Sequence, residues 1–256
     1  MDNFTHIKQI QVKKNSIFYS IIHYKDELLG FGRDCYNTNT IRIVKFDNNF
    51  EIIDNNLGMI SGEDPRCFIH CDKLYILNNC FSSMTLFQYD TKQLIRLPIP
   101  GKNISFISHD NNLYFIHYIK PFILYKIDLE SGDISNVEVI TNDIIQGNII
   151  TDEQLIYRGG TPGYKINNEE YYGYGHKTYT KQNDTLIHDI FRWDLSFSGE
   201  KPTIKITDQI QPINSKCICD PTSVIEINNK TYLLTAESDL PWFCDQDYIT
   251  NVYQIN

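Results

Sequence analysis

Short runs of alternating apolar and polar residues recur along the chain, each closed by a cluster of Asn, Asp or Gly. The clearest runs are residues 41–46 (IRIVKF), 74–77, 113–118, 171–174 and 232–235. Between them stand DNNF from Asp47, HDNN from His109, ESGD from Glu130, INNEE from Ile166 and INNK from Ile227. These residue types tolerate left-handed backbone and bond their own main chain, so the clusters predict turns. No segment carries a long apolar stripe at helical spacing. Short strands at regular intervals predict an all-β sandwich, barrel or propeller.

A ragged internal repeat chooses among these. GEDPRCFIHCDKLYILNN from Gly62, RGGTPGYKINNEEYYGYGH from Arg158 and CDPTSVIEINNKTYLLTAESD from Cys219 share one plan. Each places a small or acidic residue before Pro, then an apolar strand, an Asn/Asp turn and an aromatic-rich strand. Degenerate copies begin at Ile107 and Ser16. A period of about 40–50 residues is typical of propeller blades. Five copies predict a five-bladed β-propeller spanning residues 1–256 as a single domain, and no Gly/Ser linker interrupts it. The N-terminal strand is expected to complete the last blade. Innermost strands of a propeller converge on a central channel whose mouth carries the site. Pro65, Pro162 and Pro221 suit the starts of such strands, which directs Asp64, Thr161 and Asp220 at a shared axis.

Composition narrows the partners. The seventeen Tyr and fourteen Phe favour strands, and 41% hydrophobic residues suffice for a packed core. The net charge is −9, with 23 scattered Lys and Arg against 32 acids, which argues against a nucleic acid polymer. A local pocket for one phosphate or nucleotide remains compatible with that charge. No apolar run nears the roughly 18 residues that span a bilayer, so no membrane partner is expected. The opening MDNFTHIKQIQVKKN has no secretory apolar region, so a cytoplasmic setting with seven reduced cysteines is expected. Neither His70 nor the Cys217/Cys219 pair matches a zinc spacing, and neither metal nor cofactor is expected. The chain has no Gly-rich phosphate loop and no nucleophile elbow.

The most specific local signal is Gly62-Glu63-Asp64-Pro65-Arg66. It resembles the G-x-E-D-P-R signature of five-bladed propeller β-mannoside phosphorylases and hydrolases, a fold shared with related β-1,2-mannosyltransferases. Residues 28–33 (LLGFGR) look like that family's first-blade strand ending in Arg. Residues 172–176 (YGYGH) resemble its Tyr-His-Gly strand, and residues 235–239 (TAESD) sit where it has Gly-Ala-Ala-Asp. The resemblance implies that Asp64 is the general acid toward the glycosidic oxygen. It implies that Arg33 and His176 hold phosphate or the reducing side of the sugar, and that Asp239 holds sugar hydroxyls. The fuller set of basic phosphate ligands is not reproduced, which tilts the reading toward transfer from a sugar nucleotide or sugar phosphate over phosphorolysis or inverting hydrolysis.

The residues themselves add to this set. On an extended segment Glu63 and Asp64 point to opposite faces, so one enters the channel and the other braces Arg66 or the blade. Arg158 and Lys177 add charge, Asp220 holds hydroxyls or caps a turn, and Trp242, close after Asp239, is the aromatic expected to stack on a sugar. A second carboxylate for hydrolysis would be Glu237 or Asp239. The competing reading is a non-catalytic propeller that binds a glycan or a protein.

Overall fold

Four pairs of left-handed residues punctuate the fold. Lys25-Asp26, Cys71-Asp72, Asp110-Asn111 and Asn228-Asn229 all have φ between 46° and 63°. Two-residue loops of this kind form hairpins whose twist matches that of their strands. Each loop joins an innermost strand to its neighbour, and each lies inside one of the repeat copies. The structure is a computed structural model that describes residues 2–10, 17–35, 39–80, 83–101, 103–141, 156–181, 185–207, 217–239 and 248–256.

These hairpins belong to four of the five sheets. Strand β1 (Phe4–Ile10) belongs to the last of them. The first blade runs outward as β2 (Ile17–Tyr24), β3 (Glu27–Cys35), β4 (Thr40–Phe46) and β5 (Ile52–Ser61). The second is β6 (Glu63–His70), β7 (Lys73–Cys80), β8 (Ser83–Gln88) and β9 (Leu94–Arg96). The third is β10 (Ser105–His109), β11 (Asn112–Ile119), β12 (Phe122–Ile127) and β13 (Ile134–Val137). The fourth contains β14 (Ile140–Thr141), β15 (Ile156–Arg158), β16 (Tyr164–Lys165), β17 (Glu170–Lys181), β18 (Thr185–Ser196) and β19 (Thr203–Thr207). Its inner strand is split, because β15 and β16 pair with opposite ends of β17. The fifth is β20 (Ile218–Ile227), β21 (Lys230–Ser238) and β22 (Ile249–Ile255), with β1 as its outer edge. The N-terminal strand thus closes the ring, as the repeat pattern predicts, and no helix occurs among the described residues.

Each interface between neighbouring blades has its own apolar cluster, which is why the sheets form a ring and not a stack. Leu28 and Leu29 show the logic: side-chain alternation sends Leu28 toward Ile225 and Leu234 of blade five, and Leu29 toward Cys67 and Ile76 of blade two. Phe68 and Phe106 stack between blades two and three, with centroids 4.4 Å apart. Trp193 fills the next junction and Tyr174 the one after. Near the axis, where edge groups of inner strands need partners, small hydroxyls supply them. Ser20 accepts from Cys67 N at 3.1 Å, Ser223 from Ile21 N at 3.1 Å and Ser105 from Gly160 N at 3.3 Å.

The turn chemistry makes a direct prediction. Asn229 is exposed with φ 58°. Asn229→Gly should raise unfolding stability by up to ~1 kcal/mol, and Asn229→Val should lower it by about 1–2 kcal/mol, because a branched side chain fits left-handed backbone badly. Urea midpoints of the two variants check both signs.

Candidate active site at one channel mouth

The polar residues gather where the innermost strands begin. At the start of β6 the backbone leaves ordinary strand geometry. Gly62 has φ 141°, and the Asn78 amide lies where a Cβ would stand. Asp64 has φ 47° although Pro65 follows it, an arrangement that sterics disfavour. The β6–β7 register shifts between Glu63 and Arg66. This bulge breaks the alternation of side chains.

Glu63 and Asp64 therefore do not face opposite sides, as an extended segment would require. Both reach Arg33 at the end of β3. Arg33 Nη2 lies 2.6 Å from Glu63 Oε2, and Nη1 lies 3.0 Å from Asp64 Oδ1. Arg33 Nη2 also donates to Asn39 Oδ1 at 3.2 Å. Arg33 and Asp64 are only 3% and 5% exposed, so the pairs sit in a poorly solvated environment where charge-assisted bonds are strong.

Asp64 meets Arg66 through its backbone carbonyl and through the charge of its carboxylate. Arg66 has no exposure and hydrogen-bonds to acceptors around the axis. Its Nε donates to the Gly160 carbonyl at 2.7 Å, Nη1 to the Pro65 and Asp64 carbonyls at 2.9 and 3.4 Å, and Nη2 to Asn103 Oδ1 at 3.4 Å. Burial pulls its pKa down, while the charges of Asp64 and Asp220 pull it up. Gly160 is required here, since a Cβ would fall 2.6 Å from the Tyr174 carbonyl oxygen and 2.7 Å from the Pro221 ring.

Asp220, at the start of the fifth inner strand, is held by two imidazoles. His188 Nδ1 lies 2.6 Å from Asp220 Oδ1, and an ionised carboxylate can only accept, so His188 donates. His176 Nδ1 lies 3.6 Å from the same oxygen, and the two rings stack with centroids 4.8 Å apart. The histidines are diagonal neighbours on the β17–β18 hairpin. A backbone bond from His188 N to Cys217 O, 2.8 Å, draws the hairpin toward blade five. Burial drives the His176 pKa down to about 3, and the charges of Arg158 and Arg66 add to the shift while Asp220 opposes it. Asp220 is held far below the carboxylate range: burial opposes its ionisation, but His188, His176 and Arg66 together outweigh burial. His188 was not anticipated from sequence. Its only trace there is a cross-strand offset that becomes meaningful once the hairpin register is known.

The remaining candidates divide. Arg158 is exposed on β15, directly across from His176. Asp239 is exposed just beyond β21. Trp242 lies outside the described residues. Glu237, also fully buried, accepts from Asn251 Nδ2 at 2.7 Å and Tyr253 OH at 2.8 Å, with Thr235 OH beside them. That shell encloses the carboxylate and makes it a structural brace of blade five.

The opposite mouth is different in kind. Ile22, Ile69, Ser108, Tyr164 and Val224, from all five blades, line a cavity of about 610 Å³ there. No cluster of buried acids and cations marks it among the described residues.

No protein-family model and no curated protein matches the chain. Solved structures do. A GH43 β-xylosidase/α-arabinofuranosidase from a compost microbial metagenome aligns over 99% of this chain and 95% of its own, with TM-score 0.60 and 13% identity. A hypothetical protein from Leishmania major aligns over 94% and 84%, with TM-score 0.61 and 11% identity. A mannose phosphorylase from Leishmania mexicana, in complex with phosphate ion, aligns over 94% and 82%, with TM-score 0.57 and 12% identity. The chain shares their fold. The distant resemblance carried by residues 28–239 is thus matched at the level of architecture.

Two outcomes follow from this geometry. Arg66→Met should cost about 3–5 kcal/mol in unfolding free energy, because it strips the Gly160 carbonyl and leaves buried Asp220 with less compensation. His176 is neutral when folded and titrates near 6.5 when free. The unfolded chain therefore gains a proton first as pH falls, and the stability due to His176 is complete above about pH 6.5 and drains away toward pH 3. Denaturant midpoints across that window should fall with a slope approaching ~1.4 kcal/mol per pH unit, and His176→Gln should flatten it.

Proposed function

We propose that the protein is a carbohydrate-active enzyme that works on a mannosyl-type glycosidic bond, with Asp64 as its proton-transferring carboxyl group. The observation that carries this reading is the left-handed, pre-proline Asp64, buried at the channel mouth and held beside Glu63 by one guanidinium. Such backbone costs of order 1–3 kcal/mol and clusters at working sites, and a simple turn has no need of it. The fold it shares with a mannose phosphorylase and with a GH43 enzyme complexed with xylotriose supports a sugar as the ligand.

Among the reactions open to this scaffold, we favour glycosyl transfer from a sugar nucleotide or sugar phosphate. Inverting hydrolysis asks for two carboxyl groups about 6.5–9.5 Å apart with a water between them. Glu63 and Asp64 instead share Arg33, and Glu237 is enclosed. Phosphorolysis asks for a cationic cradle. Arg33 is committed to its two acids and His176 is neutral and buried, which leaves exposed Arg158 and partly exposed Lys177 as the cations of the candidate set. The phosphate-bound neighbour keeps phosphorolysis as the second reading.

A donor screen separates these. GDP-mannose, other sugar nucleotides and mannose 1-phosphate are offered with mannoside acceptors, and β-mannosides are offered with and without inorganic phosphate. The account expects transfer, and a loss of about 10²–10⁴-fold in kcat for Asp64→Asn with the fold intact. Phosphate-dependent release of mannose 1-phosphate would select phosphorolysis. Undiminished turnover in Asp64→Asn would remove Asp64 from the chemistry, and glycan binding without any turnover would make the protein a lectin-like propeller.

A further inference from the structure

The His176–His188–Asp220 cluster contains more ligating capacity than its own hydrogen bonding uses. One ligand atom from each residue lies within 4.8 Å of the other two. Asp220 Oδ1 accepts the hydrogen bond that His188 Nδ1 donates. His176, 1% exposed, points its Nδ1 at the same oxygen from 3.6 Å, and that nitrogen has no hydrogen-bond partner among the described residues. A buried imidazole nitrogen without a partner is rare in a folded protein and calls for an explanation. If the cluster existed only to orient Asp220, both rings would donate to it.

We propose that His176, His188 and Asp220 form a binding site for a divalent d-block ion, Zn²⁺ first. Two imidazole nitrogens and one carboxylate oxygen are the donor set such ions take, whereas Ca²⁺ and Mg²⁺ require a shell of oxygens. An ion about 2.0–2.2 Å from each donor needs donors a little over 3 Å apart. The 3.6 Å from His176 to Asp220 already approaches that spacing, and the 2.6 Å hydrogen bond of His188 lengthens when an ion replaces its proton. In a neutral ring the proton is relocated to His188 Nε2, and in an imidazolium it leaves to solvent while Nε2 keeps its own.

The surroundings shape the site further. The donors stand on β17, β18 and β20, rigid strands and not loops. Three protein ligands leave one position open, the pattern of sites that bind water or a substrate group. Arg66 and Arg158 bear on His176 electrostatically, so an anionic fourth ligand is favoured over water. His188 is the accessible side of the cluster, with its side chain 14% exposed, and marks the approach of the ion.

The test uses the full chain, stripped with chelator and titrated calorimetrically with Zn²⁺, Co²⁺ or Ca²⁺. The expected result is one equivalent of Zn²⁺, visible d–d absorption from bound Co²⁺, and no comparable heat from Ca²⁺. His176→Gln, His188→Asn and Asp220→Asn should each weaken Zn²⁺ by about 100-fold or more. His188→Asn keeps a polar group at the least buried position and is the variant most compatible with folding, checked by circular dichroism. Zn²⁺ should raise the thermal midpoint of the parent protein but not of this variant. The proposal falls if the folded protein binds no Zn²⁺, if Ca²⁺ is preferred, or if folded His188→Asn binds Zn²⁺ as the parent does. These readouts do not involve turnover, so their failure and the failure of the Asp64 assignment are separable.

Discussion

One guanidinium at the axis ties the molecule together. Arg66 rises from the inner strand of blade two, donates to the Gly160 carbonyl of blade four and the Asn103 amide before blade three, and feels the carboxylates of Asp64 and of Asp220 in blade five. Between blades, the apolar clusters hold neighbours in pairs, but they do not fix how the starts of the inner strands converge. A fully buried charge tolerates little error in its surroundings, because each donor left without an acceptor is costly. Arg66 therefore sets the distances at one mouth of the channel. Gly160 has no side chain because the blade-four backbone must come that close.

From that constraint the two mouths acquire different characters. At the end where the inner strands begin, acids and cations neutralise one another out of water: Arg33 with Glu63 and Asp64, Arg66 with its carbonyls, His188 with Asp220. At the other end four of the inner strands finish in tight hairpins around a cavity with mixed walls. Five similar blades thus produce one chemically organised face and one plain face. The asymmetry follows from what precedes each inner strand: a Gly-Glu-Asp-Pro bulge, an Arg-Gly-Gly-Thr-Pro segment and a Cys-Asp-Pro start in place of a short turn.

Much of this is legible in the sequence. The Asn/Asp pairs at 110–111 and 228–229 announced hairpins because those residues tolerate left-handed backbone. The five repeat copies each map onto the inner part of one blade. What alternation could not convey was its own failure at Asp64, where a left-handed residue before proline turns two adjacent carboxylates to one side. Arg33 as their shared partner is a contact between two blades by residues far apart in sequence, set by tertiary packing. His188 was invisible for a related reason: it becomes a ligand of Asp220 only through the register of β17 against β18. Glu237, suggested as a second acid by its place near Asp239, is instead enclosed by side chains from β21 and β22 that no local pattern connects to it.

The central claim is that the mouth carrying Asp64 is where a sugar is bound. The direct measurement is a crystal structure of the protein soaked with β-1,2-mannobiose. The account predicts a mannosyl ring at the Arg33–Asp64 mouth with a glycosidic or hydroxyl oxygen within hydrogen-bond distance of the Asp64 carboxylate. A sugar seated in the cavity between Ile22, Ile69 and Tyr164 at the opposite mouth, with the Asp64 side empty, would contradict it.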